Sequence, residues 1–247
     1  MTQKSKVRSA ETTRPARLHN AVVEQLAQRI VGGYYKPGDV LPNEADLCAE
    51  LMVGRSSIRE AVRVLADKGL LSVRPRIGTR VLPPSAWKRL DSDLIRWSAQ
   101  GKPDPAFLSA LLEARRIFEP AAAELAARRA TAKDLAAIEA GYVGMVEASR
   151  QNDLVAGVEA DIAFHRALLK GTGNPILAEF ESIIEAALRS AFRYTTEASS
   201  AYNKTLDAHG DVLDAVRMRD TERARQTMRS LLDVAEADLS MASKRMR

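Results

Sequence analysis

Two consecutive prolines, Pro83-Pro84, cut this chain into stretches of different periodicity. Neither a helix interior nor a central strand runs through such a pair, because each ring removes a backbone donor and fixes φ. Ahead of the prolines, apolar residues form three short helical runs and then two strand-like ones. Arg17 to Val31 carries Leu18, Val22, Val23, Leu26 and Ile30 at helical spacing and stops at Gly32-Gly33. Asn43 is the expected N-cap of a second helix, with Leu47, Cys48 and Leu51 inward. Arg55 to Lys68 reads as a third helix, with Ile58, Ala61, Val62 and Leu65 inward and Gly69 as its stop. Leu70 to Arg74 and Thr79 to Leu82 then flank Pro75-Arg76-Ile77-Gly78 as a hairpin. Helix, helix, turn, helix, hairpin is the order of a winged helix-turn-helix.

Beyond the prolines the pattern is helical almost to the end, with helices expected over 91–99, 104–130, 132–150, 153–171, 175–198, 201–219 and 221–244. Their short connections make neighbours antiparallel, hence a bundle. The expected fold is mostly α: an N-terminal winged helix-turn-helix and a C-terminal all-helical antiparallel bundle. In residues this predicts a disordered arm over 1–14, the winged unit over 15–83, a linker over 84–103 and the bundle over 104–245.

Composition narrows the function. No apolar run approaches the ~20 residues that span a bilayer, and the polar opening MTQKSKVRSAETTRPAR lacks the apolar stretch of a secretory signal. The single cysteine, Cys48, permits neither an intramolecular disulfide framework nor a cysteine-based zinc finger, and suits the reducing cytoplasm. Residues 1–84 hold 14 basic and 8 acidic side chains, whereas the remainder holds 23 and 24. The whole positive excess therefore sits in the first third, as in a polyanion-binding module joined to a near-neutral one.

The third helix opens with Arg55, Ser56, Ser57 and Arg59, which are donors of the kind a recognition helix places in the major groove. Arginine matches guanine O6 and N7 bidentately, while serine hydroxyls suit phosphates. Arg63 continues the face toward the DNA backbone, and Arg74, Arg76 and Arg80 on the wing are placed for phosphate or the minor groove. An ordinary solvated charged face would have the same spacing.

The stretch Gly33-Tyr-Tyr-Lys-Pro-Gly-Asp-Val-Leu-Pro-Asn-Glu44-Ala-Asp-Leu47, then Val53-Gly-Arg-Ser-Ser-Ile-Arg-Glu-Ala-Val62 and Gly78-Thr79-Arg-Val81, resembles the GntR family of bacterial transcription regulators. The resemblance implies a homodimer on an inverted repeat of double-stranded DNA, one recognition helix in each half-site. Two positions depart from the family: Ala45 stands where some members carry a DNA-touching basic residue, and Pro75-Arg76 replaces a glycine-tipped wing.

In the second region, Asp161 and His165 lie four apart on one helix face, a spacing at which two side chains converge on one metal, and His209 is a candidate third ligand. The same spacing also serves plain surface or capping pairs. His19 reads as an ordinary helix-surface residue. The motifs Leu111-x-x-x-Arg115-x-x-x-Glu119-Pro120, Asp161-x-x-Phe164-His165 with Gly173-Asn174-Pro175, and His209-x-x-x-Leu213 resemble the FCD ligand-binding domain of the FadR-like branch. In the metal-binding members of that branch an aspartate and three histidines hold a divalent ion that helps bind a carboxylate. The resemblance implies a divalent metal, zinc first, on Asp161, His165 and His209, with Leu231 where the fourth ligand would stand.

It also puts Arg115 on the effector carboxylate, where the alternative is a salt bridge to Glu119. Arg189 and Arg193 are candidate pocket residues, and Asn174 either caps a helix or bonds within the domain. The junction Trp87-x-x-Leu90-Asp91-x-Asp93-x-x-x-Trp97 resembles the sugar-acid branch of the family, which implies a repressor released by an aldonate-like carboxylate. An activator or a sensor of another carboxylate fits the same residues. A metal-dependent helical enzyme is the reading from outside the regulator class.

Overall fold

The computed structural model describes residues 13–100, 105–195 and 199–245, in two compact units that divide between Lys102 and Pro103. The arm expected over 1–14 lies outside the described residues up to residue 12. The first helix, α1 (Thr13–Val31), starts before the expected Arg17. Pro15 is no obstacle there, since first-turn amides have no intrahelical partner to lose.

In the first unit α1 is followed by α2 (Glu44–Leu51), α3 (Arg55–Asp67) and the hairpin β1 (Leu71–Arg74) with β2 (Gly78–Val81). The strands pair antiparallel, Leu71 with Val81 and Arg74 with Gly78. Asn43 caps α2 as expected, its side-chain oxygen accepting from the amides of Ala45 and Asp46. Met52 closes that helix in the left-handed region at φ 54° and turns the chain into α3. Leu26 and Ile30 of α1, Leu47 and Leu51 of α2, and Ile58, Ala61 and Leu65 of α3 bury one core under the hairpin's Leu71 and Val81. Cys48 and Val62, read as inward, are half-buried at its edge.

The stretch read as a linker is built into this unit as far as Gln100. A 3-10 turn (Pro84–Ala86) leads to α4 (Ser92–Gln100), whose Leu94 and Trp97 complete the same core. Lys68, just past α3, bonds Asp91 and reaches Asp93 at 2.9 Å, and its ammonium lies 5.6 Å from the Trp97 ring centre. The conspicuous aspartates and tryptophan of the junction thus fix α4 to the end of α3.

The second unit holds α5 (Pro105–Arg129), α6 (Ala132–Gln151), α7 (Leu154–Gly171), α8 (Pro175–Ala178), α9 (Glu181–Thr195), α10 (Ser199–Arg217) and α11 (Thr221–Arg245). One expectation needs correction: the single helix 175–198 is two. Asn174 caps the one-turn α8, whose end at Ala178 leaves Phe180 between the two helices to pack on Phe118, with ring centres 5.1 Å apart. The core is alanine-rich, with Ala123, Ala126 and Ala127 of α5 against Phe164 and Leu168 of α7 and Met228 and Leu231 of α11. Small residues let these helices approach closely. A Cβ on Gly141 of α6 would stand 2.7 Å from the Phe164 backbone.

Candidate nucleic-acid interface and bundle metal centre

The start of α3 is exposed in the manner a groove-reading helix requires. Its N-cap, Gly54, supplies no side-chain acceptor to the first turn, where the Ser57 amide donates to the Gly54 carbonyl at 3.1 Å. Arg55, Ser56, Arg59 and Arg63 are exposed. Ser57 is not: at 4% exposure it is buried beside Ile58, and it presents no side chain to an outside ligand. Arg55 forms no salt bridge among the described residues. The Nε of Arg59 donates to both oxygens of Glu44, at 2.9 and 3.0 Å, and Arg63 pairs with Glu60 at 2.6 Å and Asp67 at 3.4 Å.

On the wing, Arg74 and Arg76 are exposed, and Arg76 takes the left-handed conformation, φ 65°, where glycine is more usual. Arg80 is committed elsewhere, donating to the carbonyl of Gly38.

In the second unit, three candidate ligands converge. Asp161 Oδ1 lies 3.2 Å from both His165 Nε2 and His209 Nε2, and the two Nε2 atoms are 3.3 Å apart. For a tetrahedral zinc with bonds of about 2.0–2.1 Å, ligand atoms stand about 3.3 Å apart. The three atoms therefore outline one face of such a site, on residues 48 positions apart in sequence.

The outer partners fit as well. His209 Nδ1 donates to the Thr205 carbonyl at 2.7 Å, which orients the ring with Nε2 toward Asp161. His165 Nδ1 lies 2.5 Å from Glu119 Oε2. A carboxylate behind a ligating imidazole is the usual arrangement in metal sites. Both histidines are about as buried as the core, 2% and 3% exposed, and Phe164 packs edge-on to each ring.

Arg115 is also buried. It pairs with Glu119, and its Nη2 lies 3.3 Å from His165 Nε2. The two readings of Arg115 are therefore not exclusive, since its guanidinium is salt-bridged and also borders the ligand triangle. Electrostatics hold the group together. Burial alone would raise the Glu119 carboxyl, but Arg115 and His165 outweigh it and hold it at about 2. Burial would lower His165, yet Glu119 and Asp161 raise it to about 9, against the opposing charge of Arg115. For Asp161, burial is likewise outweighed, by His209 and His165, and its carboxyl stays well below the usual range.

Two other sequence candidates fall away from this cluster. Arg189 bonds Glu159 at 2.6 and 3.0 Å and Glu185 at 2.9 Å on a partly exposed face. It was legible as a cation on the right helix, but Glu159, 30 residues away, was not legible as its partner. Asn174 is a cap, accepting from the Ile176 amide at 3.0 Å. The side chains of Arg193 and His19 lie outside the described residues. Leu231 is buried in the bundle core. Sequence reasoning missed the part Glu119 plays behind His165; its i+4 spacing from Arg115 pointed only to a salt bridge.

A basic winged helix-turn-helix carried with a helical domain defines a DNA-binding transcription regulator. The profile of "Bacterial regulatory proteins, gntR family" matches residues 18–81, and that of the FCD domain matches residues 110–234. The chain belongs to the GntR family of bacterial transcription regulators, in the branch that carries an FCD domain, and is not an enzyme.

It is 37% identical over 212 residues to the galactonate operon transcriptional repressor of Escherichia coli K12, covering 85% of this chain and 92% of that protein. It is 28% identical over 239 residues to the repressor NanR of Salmonella newport, covering 94% and 90%. A solved Listeria monocytogenes structure, of Lar, superposes with a TM-score of 0.62 at 21% identity over 98% of this chain and all of that one, a likeness of fold. No helix among the described residues is long and apolar enough to cross a membrane.

Proposed function

We propose that the protein is a cytoplasmic homodimeric repressor of a sugar-acid catabolic operon. In this reading each protomer sets α3 in one half-site of an inverted repeat. Arg55, Ser56 and Arg59 face the bases and adjoining phosphates, Arg63 the backbone, and Arg74 and Arg76 the flanking phosphates or minor groove. Ser57 is left out because it is buried. An aldonate-like carboxylate bound in the FCD domain then releases the operator. The observation that carries the effector reading is the placement of a buried guanidinium, Arg115, beside the Asp161, His165 and His209 triangle. The similarity to a repressor named for galactonate supports the substrate class.

Asp161, His165 and His209 would hold a divalent ion, zinc first by their nitrogen and oxygen donors, with Glu119 and the Thr205 carbonyl orienting the imidazoles. When bound, the ion would supply a positive centre for carboxylate oxygens and open positions to receive them. Arg115 supplies a planar donor pair for the same kind of group, and burial strengthens that attraction by excluding water. Glu119 offsets the positive charge of Arg115 beside the His165 imidazole.

The test is fluorescence anisotropy on DNA from upstream of the protein's own gene at fixed salt, because phosphate contacts make affinity salt-dependent. D-Galactonate and related sugar acids are titrated with and without chelator. Specific binding relieved by one acid, and relief lost on chelation, is the expected result. Specific binding that no sugar acid relieves overturns the effector class, and turnover of any acid would contradict a pure sensor.

A further inference from the structure

The Glu44–Arg59 pair is not needed to hold the fold. Both side chains are largely exposed, 45% and 67%, and pairs of that kind contribute little to stability. Its geometry is nonetheless specific. Glu44 is the first residue of α2, anchored by the Asn43 cap beside it, and it reaches across to the recognition helix. Arg63 is held within its own helix, by Glu60 and Asp67; Arg59 is held from another helix, through Nε alone. The terminal edge of the guanidinium, with an N–H on each Nη, is left for an outside ligand. That edge matches guanine O6 and N7.

Resting on the assignment of α3 as the DNA reader, we propose that Glu44 is a positioning residue for base reading. It fixes the plane of Arg59 before DNA arrives and makes its terminal edge the one presented to guanine. The physical gain is pre-organisation. An arginine loses rotamer freedom when it docks on a base, and one already clamped loses less. Glu44 also works by charge. A carboxylate on this face repels phosphate, so it weakens binding to any sequence that does not give Arg59 its guanine. The neighbouring Ala45 brings no cation to compete for Glu44. Glu44 thus raises the ratio of specific to non-specific affinity, with the gain confined to one base position.

The experiment begins with a duplex enriched by the full-length wild-type protein from random DNA. Affinities for that duplex and for a scrambled one are measured for wild type, Glu44→Gln, Arg59→Ala and the double variant. The measurements are repeated with 7-deazaguanine replacing single guanines. In Glu44→Gln the specific-to-scrambled ratio is expected to fall about tenfold, with scrambled binding unchanged or tighter. Its sensitivity to 7-deazaguanine at one position should be lost. Added to Arg59→Ala, Glu44→Gln should lower the ratio no further, because the two residues act as one unit. Melting temperatures check that each variant is folded.

Equal tightening on both duplexes overturns the role and makes Glu44 a repulsive charge alone. A ratio that falls equally with and without Arg59 overturns it too. A wild-type protein that enriches no sequence overturns the DNA-reading assignment itself, and the role of Glu44 with it.

Discussion

Glu119 bears more of the bundle site than its place in the sequence announces. It is fully buried, salt-bridged to Arg115 on one side and in contact with His165 on the other. Arg115 therefore depends on this carboxylate, which His165 shares with Asp161 as its acidic partners. Removing one partner of a buried pair is far more damaging than removing an exposed one, because the other charge stays desolvated. Glu119→Ala is expected to lose about 3–5 kcal/mol of stability in urea unfolding. Zinc affinity should fall about 10–100-fold in the variant, as is usual when the outer partner of a ligating histidine is lost. Loss of stability with unchanged zinc affinity would separate the two roles and leave Glu119 a structural partner of Arg115.

At the scale of elements, the site is aimed by the contact of α6 with α7. Gly141 lets α6 lie directly on the backbone of Phe164, the residue before His165. Gly141→Ala puts a methyl into backbone that cannot rotate away. It is expected to cost about 1–3 kcal/mol by overpacking and to weaken zinc binding by displacing His165. Gly144→Ala meets only the Ala160 methyl at 3.1 Å and should be milder on both counts. Isothermal titration with zinc and thermal melting read the two effects.

The start of α6 carries a second prediction. Thr131 and Asp134 form a reciprocal capping box, so Thr131→Ala should cost about 1 kcal/mol. The Asp134 carboxyl is lowered chiefly by its bond from the Thr131 side chain. A lowered carboxyl stabilises the fold above its ordinary value, and this contribution is lost as pH falls through the lowered one. The deficit of Thr131→Ala should therefore shrink in acid; a pH-independent deficit would show that Asp134 takes no part in it.

Legibility in the sequence followed the range of the interaction. The Asn43 cap, the hairpin and the inward faces of α2 and α3 are set by near neighbours, and the pattern displayed them. At the break between α8 and α9, Phe180 meets Phe118 from another helix, a contact no local pattern encodes. Asp161, His165 and His209 were found by residue type and spacing, while their outer partners were not. Glu119 lies 46 residues before His165, and Thr205 contributes only a carbonyl, which every residue has.

For the whole molecule, the regulator reading makes a demand that neither unit meets alone. An effector can release DNA only if it binds better to protein free of the operator than to protein on it. Linkage then requires the converse: operator must weaken effector binding by the same factor, with a coupling of about 1–3 kcal/mol, or about 5–150-fold. The two sides are measured independently. Anisotropy gives operator affinity with and without D-galactonate, and calorimetry gives D-galactonate affinity with and without saturating operator. Equal factors are expected, and Arg115→Ala should abolish both together while leaving effector-free operator affinity near wild type, since Arg115 belongs to the FCD unit and α3 to the other. Raising the salt lowers operator affinity steeply through phosphate contacts, yet it should leave the agreement between the two factors intact at each salt concentration. Operator affinity that responds to D-galactonate with no reciprocal change in D-galactonate affinity would mean that the acid acts outside the binding equilibrium. The FCD site would then not be the switch.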